Sequence, residues 1–293
     1  MTELYAKIIC STITISIAFS AAPATSEPAK PFFSKSIQFC AHRCGAKWRP
    51  ESTLKTFQEA ATTWPDIMIE CDARVTKDGV AVLIHDATVN RTTNGKGKVA
   101  DLTLAEIQAL DAGYRFTTDR GKTFPYRGKG YQITTVVEAL KALPDSHFMI
   151  EIKDQPGCAE ALVKAIQDAK AEDRVIVASF KHEYMNIAED LAPEIAQCYD
   201  RVSIREMLQV MRGEDWNAYK PTDDLLILNY NNLDAYTMTK ADFPKIQAKG
   251  IPICVYNIDT VEKMNEVLDL GLDSMLTNRP DLLAQVLSDR RLR

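Results

Sequence analysis

Histidine is scarce in this chain, with four in 293 residues, and no Cys-x-x-Cys pair occurs. No Cys/His spacing therefore suits a structural zinc site. Positive charge is not in excess either: 35 lysines and arginines face 40 aspartates and glutamates, for a formal net charge of −5. That balance opposes non-specific attraction to nucleic-acid phosphate. No nucleic-acid partner is expected, and any anionic ligand must be captured by a local group of cations. Low-complexity tracts and long blocks of like charge are missing too. With 46% apolar and 26% charged residues, the composition is that of a folded globular chain rather than a disordered one.

The one long uncharged run lies at the N-terminus, from Ile8 to Ser26, after Lys7 and before "EPAKP". It is short and diluted with Ser and Thr for a permanent membrane span. Small residues at Ser20-Ala21-Ala22 and Ala22-Pro23-Ala24 offer cleavage sites. The reading is a signal peptide over 1–24, which places the mature chain in the periplasm or outside the cell with no stable membrane span. An uncleaved N-terminal anchor is the rival, because Glu3 departs from the usual basic start of a leader. Six of the seven cysteines remain after cleavage, at 40, 44, 71, 158, 198 and 254. An oxidising compartment permits disulfides, while positions inside apolar runs equally suit small buried thiols.

Eight short apolar runs recur along 36–278: "SIQFCAH", "DIMIECD", "HFMIEIK", "RVIVASF", "EIAQCYD", "DLLILNY", "IPICVYN" and "DSMLTN". Between them lie helix-period stretches such as "AEALVKAIQDAKAE" and "TVEKMNEVLDLG". Eight strands with helical crossovers predict an α/β fold, a (β/α)8 TIM barrel over 31–293, whose parallel strands are buried on both faces and so read as continuous apolar runs. One run breaks the series. "GVAVLIHD" follows the second strand after only "TKDG", too short for a parallel crossover, so those two form an antiparallel hairpin. A Gly- and Thr-rich stretch over 87–131 then reads as an insertion after the second barrel strand. It holds a short helix near 103–110 and shapes the substrate opening.

Side chains alternate along a strand, so Glu70 and Asp72 point the same way at the end of the second strand, and Glu151 and Lys153 do so at the end of the third. His42 ends the first strand, and His85-Asp86 ends the hairpin. In a barrel these ends form the catalytic mouth. Three converging carboxylates repel unless a cation lies between them, and hard oxygen ligands suit one Mg²⁺ or Ca²⁺; a metal-free ion-pair rim with Lys153 and Arg43 is the alternative. Two imidazoles at the same mouth suit acid–base work. His147 starts a strand, at the wrong end for catalysis, and His182 stands at a helix start.

The order of these pieces resembles the glycerophosphodiester phosphodiesterase family from about Ile37 to Leu283. The segments that carry the likeness are "HRC", "PEST", "ECD", "TKDG", "HD", "NRTTNGKG", "DLTLAEIQALDAG", "IEIK", "SF" and "GLDSMLTNRPD". The resemblance implies a TIM barrel with a family-specific insertion that hydrolyses glycerophosphodiesters to glycerol 3-phosphate and an alcohol. It makes His42 and His85 the acid–base pair, and Glu70, Asp72 and Glu151 the ligands of one divalent cation. Arg43 and Lys153 would contact phosphate, Glu51 would help order the site, and Tyr256 would line the glycerol side or serve as a core aromatic. Whether water or the glycerol's own hydroxyl attacks first stays open, as does the oligomeric state.

Two positions depart from the family pattern: Cys44 replaces the glycine of H-R-G, and Ser52 the asparagine of P-E-N-T. If the glycine holds a positive φ, cysteine strains the loop. Neither change removes a proposed catalytic group. Two rival readings remain, a phospholipase-type phosphodiesterase on the same barrel and a non-catalytic barrel that only binds glycerophosphodiesters. The polar, Gly-rich insertion argues against the first, and retention of the histidines and carboxylates against the second.

Overall fold

A computed structural model describes residues 30–293 of the chain. The signal peptide expected over 1–24 lies outside the described residues. Nine strands form: β1 (Phe39–Ala41), β2 (Met68–Val75), β3 (Ala81–Leu83), β4 (His147–Ile152), β5 (Val175–Ala178), β6 (Ala196–Gln197), β7 (Leu226–Asn229), β8 (Ile253–Tyr256) and β9 (Ser274–Thr277). They interleave with α1 (Leu54–Thr63), α2 (Leu104–Gln108), α3 (Val136–Ala142), α4 (Cys158–Ala169), α5 (His182–Leu191), α6 (Arg201–Arg212), α7 (Phe243–Gln247), α8 (Val261–Asp269) and α9 (Pro280–Asp289). Eight strands run parallel in the order β6-β5-β4-β2-β1-β9-β8-β7, and each of the eight is followed by a helix before the next. The sheet curls until its edges meet. Cys198 bridges Leu225 in parallel, and the Tyr199 amide donates to the Leu225 carbonyl at 2.9 Å.

Strand parity decides what the curled sheet encloses. Cys40, Met68, Met149, Ile176, Cys254 and Leu276, from six different strands, pack together on its inner face with Ala196 and Cys198. Neighbours on the other parity, such as Ile69, Ile150 and Val177, pack outward against the helices. Burial on both faces is what made each strand a continuous apolar run. Phe32, fully buried in a 3-10 turn (Pro31–Ser34), joins the inner cluster at the N-terminal end, its ring 5.3 Å from that of His147. All six described cysteines are free and buried, so they serve as small hydrophobes.

The tail of β2 pairs with β3 as an antiparallel hairpin, Ala73 opposite Leu83 and Val75 opposite Ala81, around the turn at Gly79 with φ of 82°. From 87 to 131 the chain makes a 3-10 turn (Val99–Asp101) and then α2, whose N-terminus is closed by a reciprocal Thr103/Glu106 capping box. Val89, Val99, Ile107 and Tyr131 form a small core of their own against Val82 and Ile84 of the hairpin.

Candidate active site

The inner parity that buries Met68 also carries Glu70 and Asp72, each one step further toward the C-terminal end of β2. In β4, Met149 is followed on the same parity by Glu151 and Lys153. The register pairs Glu70 with Met149 and Asp72 with Glu151, so the two strands deliver their charges side by side. One oxygen from each of Glu70, Asp72 and Glu151 lies within 4.8 Å of the others. Glu70 and Asp72 are 4% and 1% exposed.

Expectation and structure differ slightly at His42. β1 stops at Ala41, and His42 opens a 3-10 turn (His42–Cys44) in which Arg43, Cys44 and Gly45 all take positive φ, at 49°, 54° and 88°. The left-handed turn aims the Arg43 amide at Glu70, donating to Oε2 at 2.6 Å, and swings the guanidinium back over the carboxylates, 3.6 Å from Asp72. Cys44 thus occupies a left-handed position where glycine is free and other residues are strained by roughly 1–2 kcal/mol. Its side chain is fully buried. Ser52 also has positive φ, 53°, and its buried hydroxyl has no partner. The two departures from the family pattern fall on backbone that favours the residues they replace.

The electrostatics follow from burial and pairing. Lys153 Nζ stands 2.8 Å from both Asp72 Oδ1 and Glu151 Oε1, and these two carboxylates outweigh burial and raise its pKa. Burial pushes Asp72 up, but Lys153, His85 and Arg43 pull harder and hold it below the usual carboxylate value. Glu70 is pushed well up by burial and by the Asp72 charge, and Glu151 by burial against the pull of Lys153. Both Asp72 oxygens are buried and face cations, Oδ1 at 2.8 Å from Lys153 Nζ and Oδ2 at 3.6 Å from the Arg43 guanidinium. Three hard oxygens within 4.8 Å of one another, two of them on carboxyls whose pKa is raised, are a donor set that suits a divalent cation.

His42 Nδ1 lies 2.9 Å from Asn278 Oδ1, and the Asn278 amide nitrogen donates to Asp259 at 3.0 Å, which fixes the orientation of that side chain. An amide oxygen only accepts, so Nδ1 carries the hydrogen and Nε2 faces Glu70 at 3.9 Å with a lone pair. Burial, then Arg43, lowers the His42 pKa from 6.5. His85 is arranged likewise: Nδ1 lies 2.8 Å from Asp86 Oδ1, and burial lowers the pKa while Asp72 and Asp86 raise it in part. Arg91 locks the far side, reaching Asp86 at 2.8 and 3.0 Å and both oxygens of Glu51 at 2.8 Å.

His42, His85, Arg43, Glu70, Glu151 and Lys153 line one cavity of about 190 Å³, with Tyr256 opposite them. Burial raises the Tyr256 phenol pKa, as does Tyr236 beside it. Glu51 does not line the cavity; it stands behind Arg43, 3.7 Å from its guanidinium, tied to Arg91. Sequence reasoning missed Asn278, Asp259 and Arg91 as supports, although Asn278 directly follows the last strand on the inward parity of Leu276, a signal that was available. It also missed Phe180, Asp200 and Arg201, which complete the far wall. His147 sits at the opposite end of the sheet, its ring nitrogens buried without partners, and His182 binds Asp200 Oδ2 through Nδ1 at 2.6 Å.

A curled parallel sheet with imidazoles and carboxylates gathered where its strands end has the layout of barrel enzymes. The chain belongs to the glycerophosphoryl diester phosphodiesterase family, whose model matches residues 42–282. It is 32% identical to a glycerophosphodiester phosphodiesterase of Caldanaerobacter subterraneus over 83% of this chain and 94% of that one. It is 29% identical to another of Bacillus subtilis, over 84% and 85%. Among solved structures, the glycerophosphoryl diester phosphodiesterase domain of an uncharacterised Mycobacterium tuberculosis protein superposes with a TM-score of 0.72 at 22% identity, over 87% of this chain and all of that one. A phosphodiesterase of Oleispira antarctica, solved with its product sn-glycerol-3-phosphate, gives 0.69 at 21%, over 86% and 97%.

Proposed function

We propose that this chain hydrolyses glycerophosphodiesters to glycerol 3-phosphate and an alcohol, on a (β/α)8 barrel whose segment 87–131 is an insertion that shapes the mouth. The observation that carries the reading is the meeting of the Glu70, Asp72 and Glu151 oxygens within 4.8 Å beside two imidazoles, His42 and His85, that line one cavity. Glu70, Asp72 and Glu151 would hold one divalent cation, Mg²⁺ or Ca²⁺, which when bound offsets the charge of the carboxylates and of the phosphate. Arg43 and Lys153 face the same space and bind the phosphate oxygens, opposing the charge that builds as the fifth oxygen joins phosphorus. His42, with no charged partner on Nδ1, stays neutral and takes the proton of the attacking hydroxyl at Nε2. His85, backed by the Asp86 carboxylate, is better able to carry a proton and gives it to the leaving alkoxide. Glu51, held by Arg91, orders Arg43 directly, and Tyr256 lines the cavity wall.

The single exposed large apolar side chain on the cavity wall, among the described residues, is Phe180. A lone phenyl is not the apolar belt that an enzyme of intact bilayer lipid needs, which favours a water-soluble diester. The leader reading of residues 1–24 places the mature chain in the periplasm or outside the cell. The deciding assay is release of glycerol 3-phosphate from glycerophosphocholine by the purified chain, with and without chelator, beside His42→Ala and His85→Ala. Turnover that is lost with chelator and in both variants supports the reading. Binding without turnover, or full turnover in either variant, defeats it.

A further inference from the structure

We propose that Arg201, seated on Phe180 at the cavity mouth, forms a second anion subsite that selects diesters whose alcohol carries a carboxylate or another anionic group. The proposal rests on the hydrolase reading above and extends it to the leaving group. Its basis is the pairing of charge around the cavity. Arg43 faces Asp72 and Glu51, and Lys153 faces Asp72 and Glu151. Asp200 is buried with its oxygens engaged, Oδ1 by the amides of Val202 and Ser203 and Oδ2 by His182. Arg201 lines the same cavity, is exposed, and has no carboxylate within 4.0 Å among the described residues.

The guanidinium lies 5.0 Å from the centroid of the Phe180 ring, which is 43% exposed. An aromatic face at a mouth is the usual seat for a quaternary ammonium, and here a fixed cation is already on it. Arg201 also stands close enough to Tyr256 for its charge to oppose the rise of that phenol's pKa. Arg201 opens α6, the helix after β6, so it faces the cavity from the β6 side, three strands along the sheet from the carboxylates of β2. The phosphate at the carboxylate cluster and Arg201 share this one cavity, so the ester arm that extends toward β6 faces Arg201. Glycerol has no charge, so an anion at that place belongs to the alcohol.

Glycerophosphoserine and glycerophosphoethanolamine differ only by a carboxylate, and their kcat/KM ratio reads the subsite directly. We expect the wild-type chain to prefer the serine diester by about fivefold to tenfold, the size of one charge-assisted contact reduced for solvent exposure. Arg201→Gln brings the ratio near one, and Arg201→Lys keeps part of it. An unchanged ratio in Arg201→Gln overturns the proposal, as does an equal loss on both diesters. If the wild-type chain turns over neither of these diesters nor glycerophosphocholine, the hydrolase reading fails instead. Calorimetric titration of the two diesters into wild type and Arg201→Gln then still reads the subsite, with equal affinities in wild type overturning it.

Discussion

Replacing Arg91 with Met tests whether the two histidine-bearing loops work as one unit. Arg91 makes four charge-assisted hydrogen bonds of 2.8 to 3.0 Å, two to Asp86 beside His85 and two to Glu51 behind Arg43. Its side chain is 45% exposed, so the values of buried ion pairs do not apply. Exposed pairs contribute roughly 0.2–1 kcal/mol each, and a bidentate pair lies at the upper end, so losing two costs about 1–2 kcal/mol. In a domain of this size that is a fall in Tm of about 2–8 °C by calorimetry. The effect on catalysis is larger, because Asp86 loses the partner that holds its rotamer and His85 loses its aim. A misplacement near 1 Å costs about 100-fold in kcat, with KM less affected. The stability loss also has a pH signature. Arg91, and then His85, hold the Asp86 pKa well below its usual 3.8 against the upward push of burial. A carboxylate with a lowered folded pKa stabilises the fold above its unfolded value and loses that contribution as pH falls. The gap between wild type and Arg91→Met is therefore full at neutral pH and closes in acid. Arg91→Lys reaches one carboxylate at a time and restores stability better than kcat. A variant with wild-type kcat and unchanged Tm refutes the coupling of the loops.

Burial lowers the pKa of both imidazoles of the proposed mechanism from 6.5, so kcat/KM is expected to fall on the acid side as His42, the base, gains a proton and on the alkaline side as His85, the acid, loses one, with both limbs drawn down from 6.5 in a pH–rate profile. Stability follows the sign of the acid limb: it is full above 6.5 and declines as pH falls and the two rings must charge. Ser52→Gly removes a left-handed strain of about 1 kcal/mol and an orphaned buried hydroxyl of about 1 kcal/mol, against about 1 kcal/mol of added backbone entropy. The expected result is a gain near 1 kcal/mol in urea unfolding. Phe32→Ala opens a cavity at the fully buried end of the inner cluster, and a loss of about 3–5 kcal/mol is expected in the same experiment.

The elements legible in advance were those whose signal is local. Eight buried runs became eight parallel strands, and the "TKDG" turn became the β2–β3 hairpin, because apolar run length and a crossover too short for parallel pairing are properties of neighbouring residues. The carboxylates were legible for the same reason. Glu70 with Asp72, and Glu151 with Lys153, share a parity with the buried Met68 and Met149, and period-two alternation places them inside.

What the tertiary structure alone decided lies across long separations or in irregular backbone. Asn278 meets His42 across 236 residues, and Arg91 meets Glu51 across 40, and no periodicity links either pair. The left-handed turn at Arg43 and Cys44 is set by the packing around it, since neither side chain favours that conformation. Whether Arg201 is paired depends on every carboxylate that folding brings near it. The sequence by itself determined the strands, their inward face and the charges at their ends. The closure of the sheet decided which of those charges are partnered, which are left to bind a ligand, and how each imidazole is aimed, because these depend on distances between strands that no local pattern encodes.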